Sequence, residues 1–329
     1  MSGAKIYTVT LNPSLDRTLV TNYFAVGYQN RVGQPTKLEP AGRGVNISRA
    51  LHKLDTATSA IVLLGDDATG RAYTSLIAEE RIDVTIVTNQ GGQTRSNIII
   101  FDAATNTETR IIEDSTEVGS DDIDAIAQLL RQNVAPNDMV ILAGSLPDGV
   151  ADDSYGYLAQ LMHDKGAEVV ISAAGHPLKE AISAKPDLVV FNDVEAESLY
   201  NYPIRTDNDI VSSAKKLIEN GVGSVLNNIK SSRRAIMVSA TETWVVDLPD
   251  EEDGTSSGVW EAMVAGYLTA RLKKQPSTEA LSLGVAAAAY TAAHIGNAFG
   301  TMSEISEYLG TVNVLPYDER SAPQSLSVN

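Results

Sequence analysis

Five stretches of the chain combine residue types and spacings that could do chemistry. In "TSSGVWEAMVAGYL" (255–268) a small, hydroxyl-rich run enters an apolar helix. The free backbone N–H groups of a helix start, with the helix dipole behind them, make an anion site. Gly258 suits such a turn, but Val259, Trp260 and Glu261 sit where an anion would have to approach. "AGRGVNISRALHKL" (41–54) offers Gly42 and Gly44 for close backbone approach to a ligand, with Arg43 and Asn46 as donors. A plain glycine turn before an amphipathic helix reads the same way. "TLNPSLDRT" (10–18) sets Asn12 and Asp16 at the end of a strand. A carboxylate there can take sugar hydroxyls, although Asn-Pro and Asp are also ordinary turn residues. "GQTRSNIII" (92–100) places Arg95 and Asn97 two apart on a strand, hence on one face, which is either an exposed strand face or a phosphate grip. "AGSLPDGV" (143–150) is another strand-end loop whose glycine can lie beneath a ligand.

The elements that must position these residues follow from hydrophobic periodicity. "KIYTVTL" (5–11) reads as a first strand and "TSAIVLLG" (58–65) as a buried one. From residue 58 onward strands and helices alternate. That rhythm predicts an α/β fold with a doubly wound, mostly parallel sheet flanked by helices. The β-rich pieces near 19–40 and 84–113 break the rhythm and are expected to form a small β-sheet lid. The reading is one domain over residues 1–315, followed by a polar tail, 316–329, expected to be disordered.

Composition bounds the partners. The chain has 329 residues with 43% hydrophobic and only 5% aromatic, so Ala, Val, Leu and Ile must fill the core. The net charge of −17 argues against nucleic acid and against an anionic membrane surface. No cysteine is present, which excludes disulfides and thiolate metal sites and fits a cytoplasmic location. The N-terminus enters a strand pattern with no signal-peptide core, and no apolar run reaches the ~20 residues of a membrane span.

Taken together and in this order, "TLNPSLD", "AGRGVNISRAL", "TRSNI" and "AGSLPDGV" resemble the PfkB branch of the ribokinase-like carbohydrate kinases. The nearest branch is that of 1-phosphofructokinase and tagatose-6-phosphate kinase, and the resemblance covers roughly residues 5–310. It implies that Asp16, Gly42, Arg43 and Asn46 hold a sugar. It implies that Arg95 and Asn97, with Arg43, hold the phosphate already on that sugar. ATP with Mg²⁺ would supply the phosphoryl group, and the lid would serve as a homodimer contact.

The pattern breaks on the other half of the site. The family's Gly-Ala-Gly-Asp core appears as Gly258, Val259, Trp260 and Glu261, so the catalytic base position carries a longer carboxylate beside a bulky indole. The family's glycine-bearing nucleotide loop appears as "VLNNIKSSRRAIMV" (225–238), leaving Asn227 and Lys230 as candidate nucleotide contacts. Arg233 and Arg234 are either phosphate contacts or part of a solvated basic loop. Asn192 and Glu195 keep an Asn-x-x-Glu pattern in which the Glu would organise Mg²⁺ through water, and an expected Asp is Ser172. The sequence therefore leads to a sugar-phosphate-binding protein with phosphotransfer impaired or lost. The alternatives are an active kinase using Glu261 as base with a rebuilt nucleotide loop, and a structural partner using only its lid.

Overall fold

The computed structural model describes residues 4–33, 36–114, 117–201, 203–229, 233–248 and 257–318. The chain begins with β1 (Ile6–Thr10), β2 (Ser14–Thr21), β3 (Lys37–Ala41), α1 (Arg43–Lys53), β4 (Thr58–Gly65) and α2 (Ala68–Glu79). It continues with β5 (Val84–Asn89), β6 (Arg95–Asp102), β7 (Thr107–Ile112), α3 (Ser120–Asn133), β8 (Met139–Ala143), α4 (Ser154–Asp164), β9 (Glu168–Ser172) and α5 (Gly175–Ile182). Next come β10 (Leu188–Asn192), α6 (Asp193–Tyr200), α7 (Asp207–Glu219), β11 (Ser224–Ile229), β12 (Arg234–Ser239) and β13 (Thr243–Asp247). The last elements are α8 (Val259–Leu272), α9 (Ser277–Ala292), α10 (Met302–Leu309) and β14 (Val314–Pro316).

Strand alternation builds two cores around one sheet. On β1, Tyr7 and Val9 join the cluster beneath α3, α4, α5 and α7, whereas Ile6 joins the cluster beneath α1, α8 and α9. The same alternation runs through β8, where Val140 and Leu142 face the first cluster and Met139 and Ile141 the second. The result is a 10-stranded sheet in the order β14-β13-β12-β11-β10-β9-β8-β1-β4-β5, with helices on both faces. It is parallel from β5 to β11 and antiparallel from β11 through β14. Helices α8 and α9 approach at backbone distance. A Cβ on Gly266 would lie 2.6 Å from the Leu283 carbonyl oxygen, and one on Gly284 would lie 2.7 Å from that of Met263.

A second, 4-stranded sheet has the order β3-β2-β6-β7. Its membership corrects two expectations. Val84–Asn89 pairs in parallel with β4 at the edge of the large sheet, because the chain returning from α2 makes an ordinary crossover there. Residues 14–18, read as a strand end or an ordinary turn, join 19–21 of the expected lid in the inner lid strand β2, paired with both β3 and β6. The ordered body also runs past residue 315. Pro316 closes β14, and Tyr317 packs on the first core cluster and hydrogen-bonds Asn208 through its hydroxyl. Residues 319–329 of the expected tail lie outside the described residues. Among the described residues no helix is long and apolar enough to cross a membrane.

Candidate functional site

The site is assembled where the parallel strands end and the lid strands begin. β1 stops at Thr10, and the chain crosses Asn12 and Pro13 into β2, so strand end and lid are joined by a few residues. In the lid register Asp16 stands opposite Asn97, and Ser14 opposite Arg95. Asp16 therefore lies on a lid strand rather than at the tip of a parallel strand. Its Oδ1 accepts from Ser14 Oγ at 2.7 Å and from Asn97 Nδ2 at 2.9 Å. Burial pushes the Asp16 carboxyl above its usual range, against the pull of those two donors and of the Arg95 and Arg110 charges. Arg95 donates from Nη2 to the Asn12 carbonyl at 3.1 Å, and its Nε is buried without a hydrogen-bond partner. Burial lowers the pKa of Arg95, partly offset by Asp16. A recess lined by Asn12, Pro13, Asn89, Gln93, Thr94 and Arg95 opens beside it.

Gly42 is at φ 132, and a Cβ there would stand 2.7 Å from Thr10 Cγ2, so the turn into α1 tolerates nothing larger. The turn sends Arg43 away from the lid. Its Nη2 donates to Glu195 Oε1 at 2.8 Å, its Nη1 to the Ser172 carbonyl at 3.1 Å, and its Nε lies 4.0 Å from Glu261 Oε1. Burial disfavours the charge on Arg43, and Glu195 and Glu261 outweigh that effect and raise its pKa. Arg43 thus joins the strand ends to the start of α8, and its side-chain partners, Ser172, Glu195 and Glu261, are none of those of Arg95. Asn46 is buried along α1, where its Nδ2 donates to Asn297 Oδ1 at 3.2 Å and its Oδ1 accepts from Arg49 Nη1 at 3.5 Å.

The start of α8 keeps its glycine for a steric reason. Gly258 is at φ 77, and a Cβ there would stand 3.1 Å from both Asn297 Oδ1 and Phe299 Cε1. No side chain caps the helix. Glu261 lies in its first turn, half-buried and within reach of Arg43. Trp260 packs against the core cluster beneath α8, with its indole Nε1 buried and without a hydrogen-bond partner. Such an unmet donor costs roughly 1–3 kcal/mol.

The nucleotide-side candidates are not brought into this cleft. Asn227 is 0% exposed, because strand alternation on β11 turns it toward the core. Neither atom of its amide finds a partner. Asn192 caps α6, its Oδ1 accepting the Glu195 N–H at 2.8 Å. Arg234 opens β12, not a solvated loop, and is held by Asp207 at 2.8 Å and Asp247 at 2.9 Å. Lys230 lies outside the described residues. The donor set does not fit a resident Mg²⁺. Glu195 has Oε1 on Arg43 and Oε2 on the Asn192 N–H, and among the described residues no group of three or more metal-ligating side chains comes together.

Two residues of the cleft were missed at the level of sequence. Arg110, on β7, reaches across from the lid and donates to Ser257 Oγ at 3.1 Å, next to Gly258. Ser145, in the loop after β8, accepts from Asn12 Nδ2 at 3.1 Å. Arg110 pairs with Ile99, which pairs with Thr18, so the lid register sets it on the face of Asp16, and that long-range register leaves no signal in the sequence.

The profile of the pfkB family carbohydrate kinases matches residues 9–304. The 1-phosphofructokinase of Bacillus subtilis is 30% identical over 309 residues, covering 94% of this chain and 99% of that protein. A tagatose-6-phosphate kinase of Staphylococcus epidermidis is 25% identical over 317 residues, covering 95% of this chain and 96% of that protein. The fold is that of phosphofructokinase-2 from Escherichia coli, solved in complex with substrates and products. That structure superposes with a TM-score of 0.86 at 23% identity, over 94% of this chain and 99% of that one.

Proposed function

The chain belongs to the pfkB family of carbohydrate kinases, and on that premise we propose that it binds a ketose phosphate of the fructose 1-phosphate or tagatose 6-phosphate type between its lid and the ends of its parallel strands. The observation that carries this reading is the inward cluster of Asp16, Asn97 and Arg95. It holds a buried carboxylate and a guanidinium together on one lid face. A carboxylate for hydroxyls beside a fork for phosphate is what such a ligand requires. ATP with Mg²⁺ is the donor that family membership implies.

We read phosphotransfer as slowed or lost. Glu261 carries its carboxylate one methylene further than the family's Asp and shares Arg43 with Glu195. Misplacing a base at the scale of ~1 Å costs about 10²–10⁴ in rate, and each lost anion-hole donor about 10²–10³ more. The second reading, an active kinase with Glu261 as base, is favoured by the position of that residue in the first turn of α8. A homodimer through the lid and a cytoplasmic location are parts of the same proposal. The first rests on the lid's exposed apolar face and the second on the cysteine-free chain.

Thermal shift with fructose 1-phosphate and with tagatose 6-phosphate, followed by ATP–Mg²⁺ and an ADP assay, tests the proposal. Stabilisation by a sugar phosphate with ADP release at background supports it. Rapid ADP release selects the active kinase. No stabilisation by either sugar phosphate overturns the sugar-binding reading.

A further inference from the structure

Glu195 and Glu261 come from distant parts of the chain to one guanidinium. Arg43 Nη2 donates to Glu195 Oε1 at 2.8 Å, and Arg43 Nε lies 4.0 Å from Glu261 Oε1. The other terminal nitrogen, Nη1, is turned to the end of β9, where it donates to the Ser172 carbonyl at 3.1 Å and lies 3.5 Å from the Ser172 hydroxyl. The stem of Arg43 is placed as well. A Cβ on Gly144, at φ 95, would stand 3.8 Å from Arg43 Cβ, and the Gly144 N–H donates to the same Ser172 carbonyl at 2.9 Å. All three guanidinium nitrogens thus face acceptors in the wall of the cleft.

Two carboxylates in a cleft call for a cation, and a divalent ion is one candidate. Mg²⁺ keeps several waters and takes one or two carboxylate oxygens at about 2.0–2.1 Å. Both oxygens of Glu195 are already engaged. The residue is 7% exposed, Oε1 is on Arg43, and Oε2 accepts the Asn192 N–H at 3.0 Å, which fixes the carboxylate into the cap of α6. Ser172, at the neighbouring strand end, adds a neutral hydroxyl and no third carboxylate. A divalent ion would also have to enter beside the positive charge of Arg43. Burial disfavours that charge, and Glu195 and Glu261 outweigh the effect and raise its pKa.

We infer that Arg43 is the internal counter-ion of Glu195 and Glu261 and holds the place between them that a divalent metal ion would take. Family membership implies Mg²⁺ in this cleft, and this chain closes that position with one of its own side chains. An anion entering the cleft meets a fixed cation, desolvated when the protein folds, in place of an ion that must be recruited. Exclusion of the metal and binding of a sugar phosphate share one cleft but are measured separately, so either can fail alone.

Thermal unfolding with and without MgCl₂, and titration of Mn²⁺ followed by the paramagnetic resonance of the free ion, test this on the wild-type chain, E195Q, R43Q, R43K and R43Q/E195Q. The wild-type chain and E195Q are expected to take up Mn²⁺ alike and to show no Mg²⁺-dependent shift. R43Q leaves a buried carboxylate without its cation. It should unfold at a lower temperature, recover part of the loss in MgCl₂, and gain about one equivalent of Mn²⁺ that R43Q/E195Q lacks. R43K, which keeps the charge without the fork, should stay indifferent to the metal. A Mn²⁺ site in the wild-type chain that E195Q abolishes overturns the assignment. So does an R43Q chain that responds to metal no more than R43Q/E195Q, or an R43K chain that gains the same site as R43Q. The wild-type and E195Q pair decides the matter if R43Q does not fold.

Discussion

Asp16, proposed to take sugar hydroxyls, is held at a cost to the fold. Its pKa is raised above 3.8 chiefly by burial. For an acid shifted upward, the favourable contribution is complete below the unfolded pKa and is lost as pH rises through the folded one. At neutral pH the ionised carboxylate therefore destabilises the protein. D16N is expected to raise the melting temperature at pH 7, with the gap to wild type closing as pH falls toward 4. The same variant should lose about tenfold or more in sugar-phosphate affinity, since a charged acceptor for hydroxyls has gone. A scan of melting temperature against pH, with and without fructose 1-phosphate, reads both effects. Asn227 teaches a different lesson at this scale. An Asn in a strand-end segment reads as a ligand contact in sequence, but side-chain direction on β11 decides the matter and turns it inward. Arg43 was legible as a cleft residue but not as the partner of Glu195 and Glu261. The Glu195 pairing spans 152 residues, and the Glu261 contact depends on how α1 packs against α8.

Elements were read from periodicity more faithfully than their grouping into sheets. Helices α3, α7 and α8 lie where the sequence pattern is plainest. Each has either a strong apolar face or a fully apolar surface, which local pattern reveals. The lid's membership was not legible, because pairing of β2 with β6 is a contact between segments some eighty residues apart and leaves no local mark. α10 is short, with a single buried residue, Ile305, so its pattern falls below what periodicity resolves. The start of α2 carries a prediction. Asp67 accepts from the Thr69 and Gly70 N–H groups and also from Thr94 N–H at 3.1 Å, tying the helix to the segment that enters β6. Burial acts to raise its pKa, but the backbone donors prevail and lower it below 3.8. Its stabilising effect is present above that value and is lost as pH falls through the lowered pKa. D67A should cost about 1–2 kcal/mol in urea unfolding at pH 7, and its deficit relative to wild type should shrink below about pH 4.

At the scale of the whole molecule, the lid has two unlike faces. The inner face carries Asp16 and Asn97. Across the outer face one register row reads Leu38, Arg17, Ile98 and Ile111, with the three apolar members 37%, 36% and 52% exposed. Apolar surface left on an open sheet invites a partner, and a second copy of the chain supplies the same surface. On the proposed lid dimer, the double substitution I98E/I111E is expected to leave a monomer in sedimentation velocity, at a cost of no more than about 1 kcal/mol in folding stability. The opposite wall of the cleft has no such latitude. Gly266 and Gly284 seat α8 against α9 with backbone on backbone, so the helix that carries Glu261 cannot move toward α9 there. A longer acid on that helix crowds whatever lies in front of it. The room left for a sugar is therefore set from the lid side, by the depth at which Ser14 and Asn97 hold Asp16.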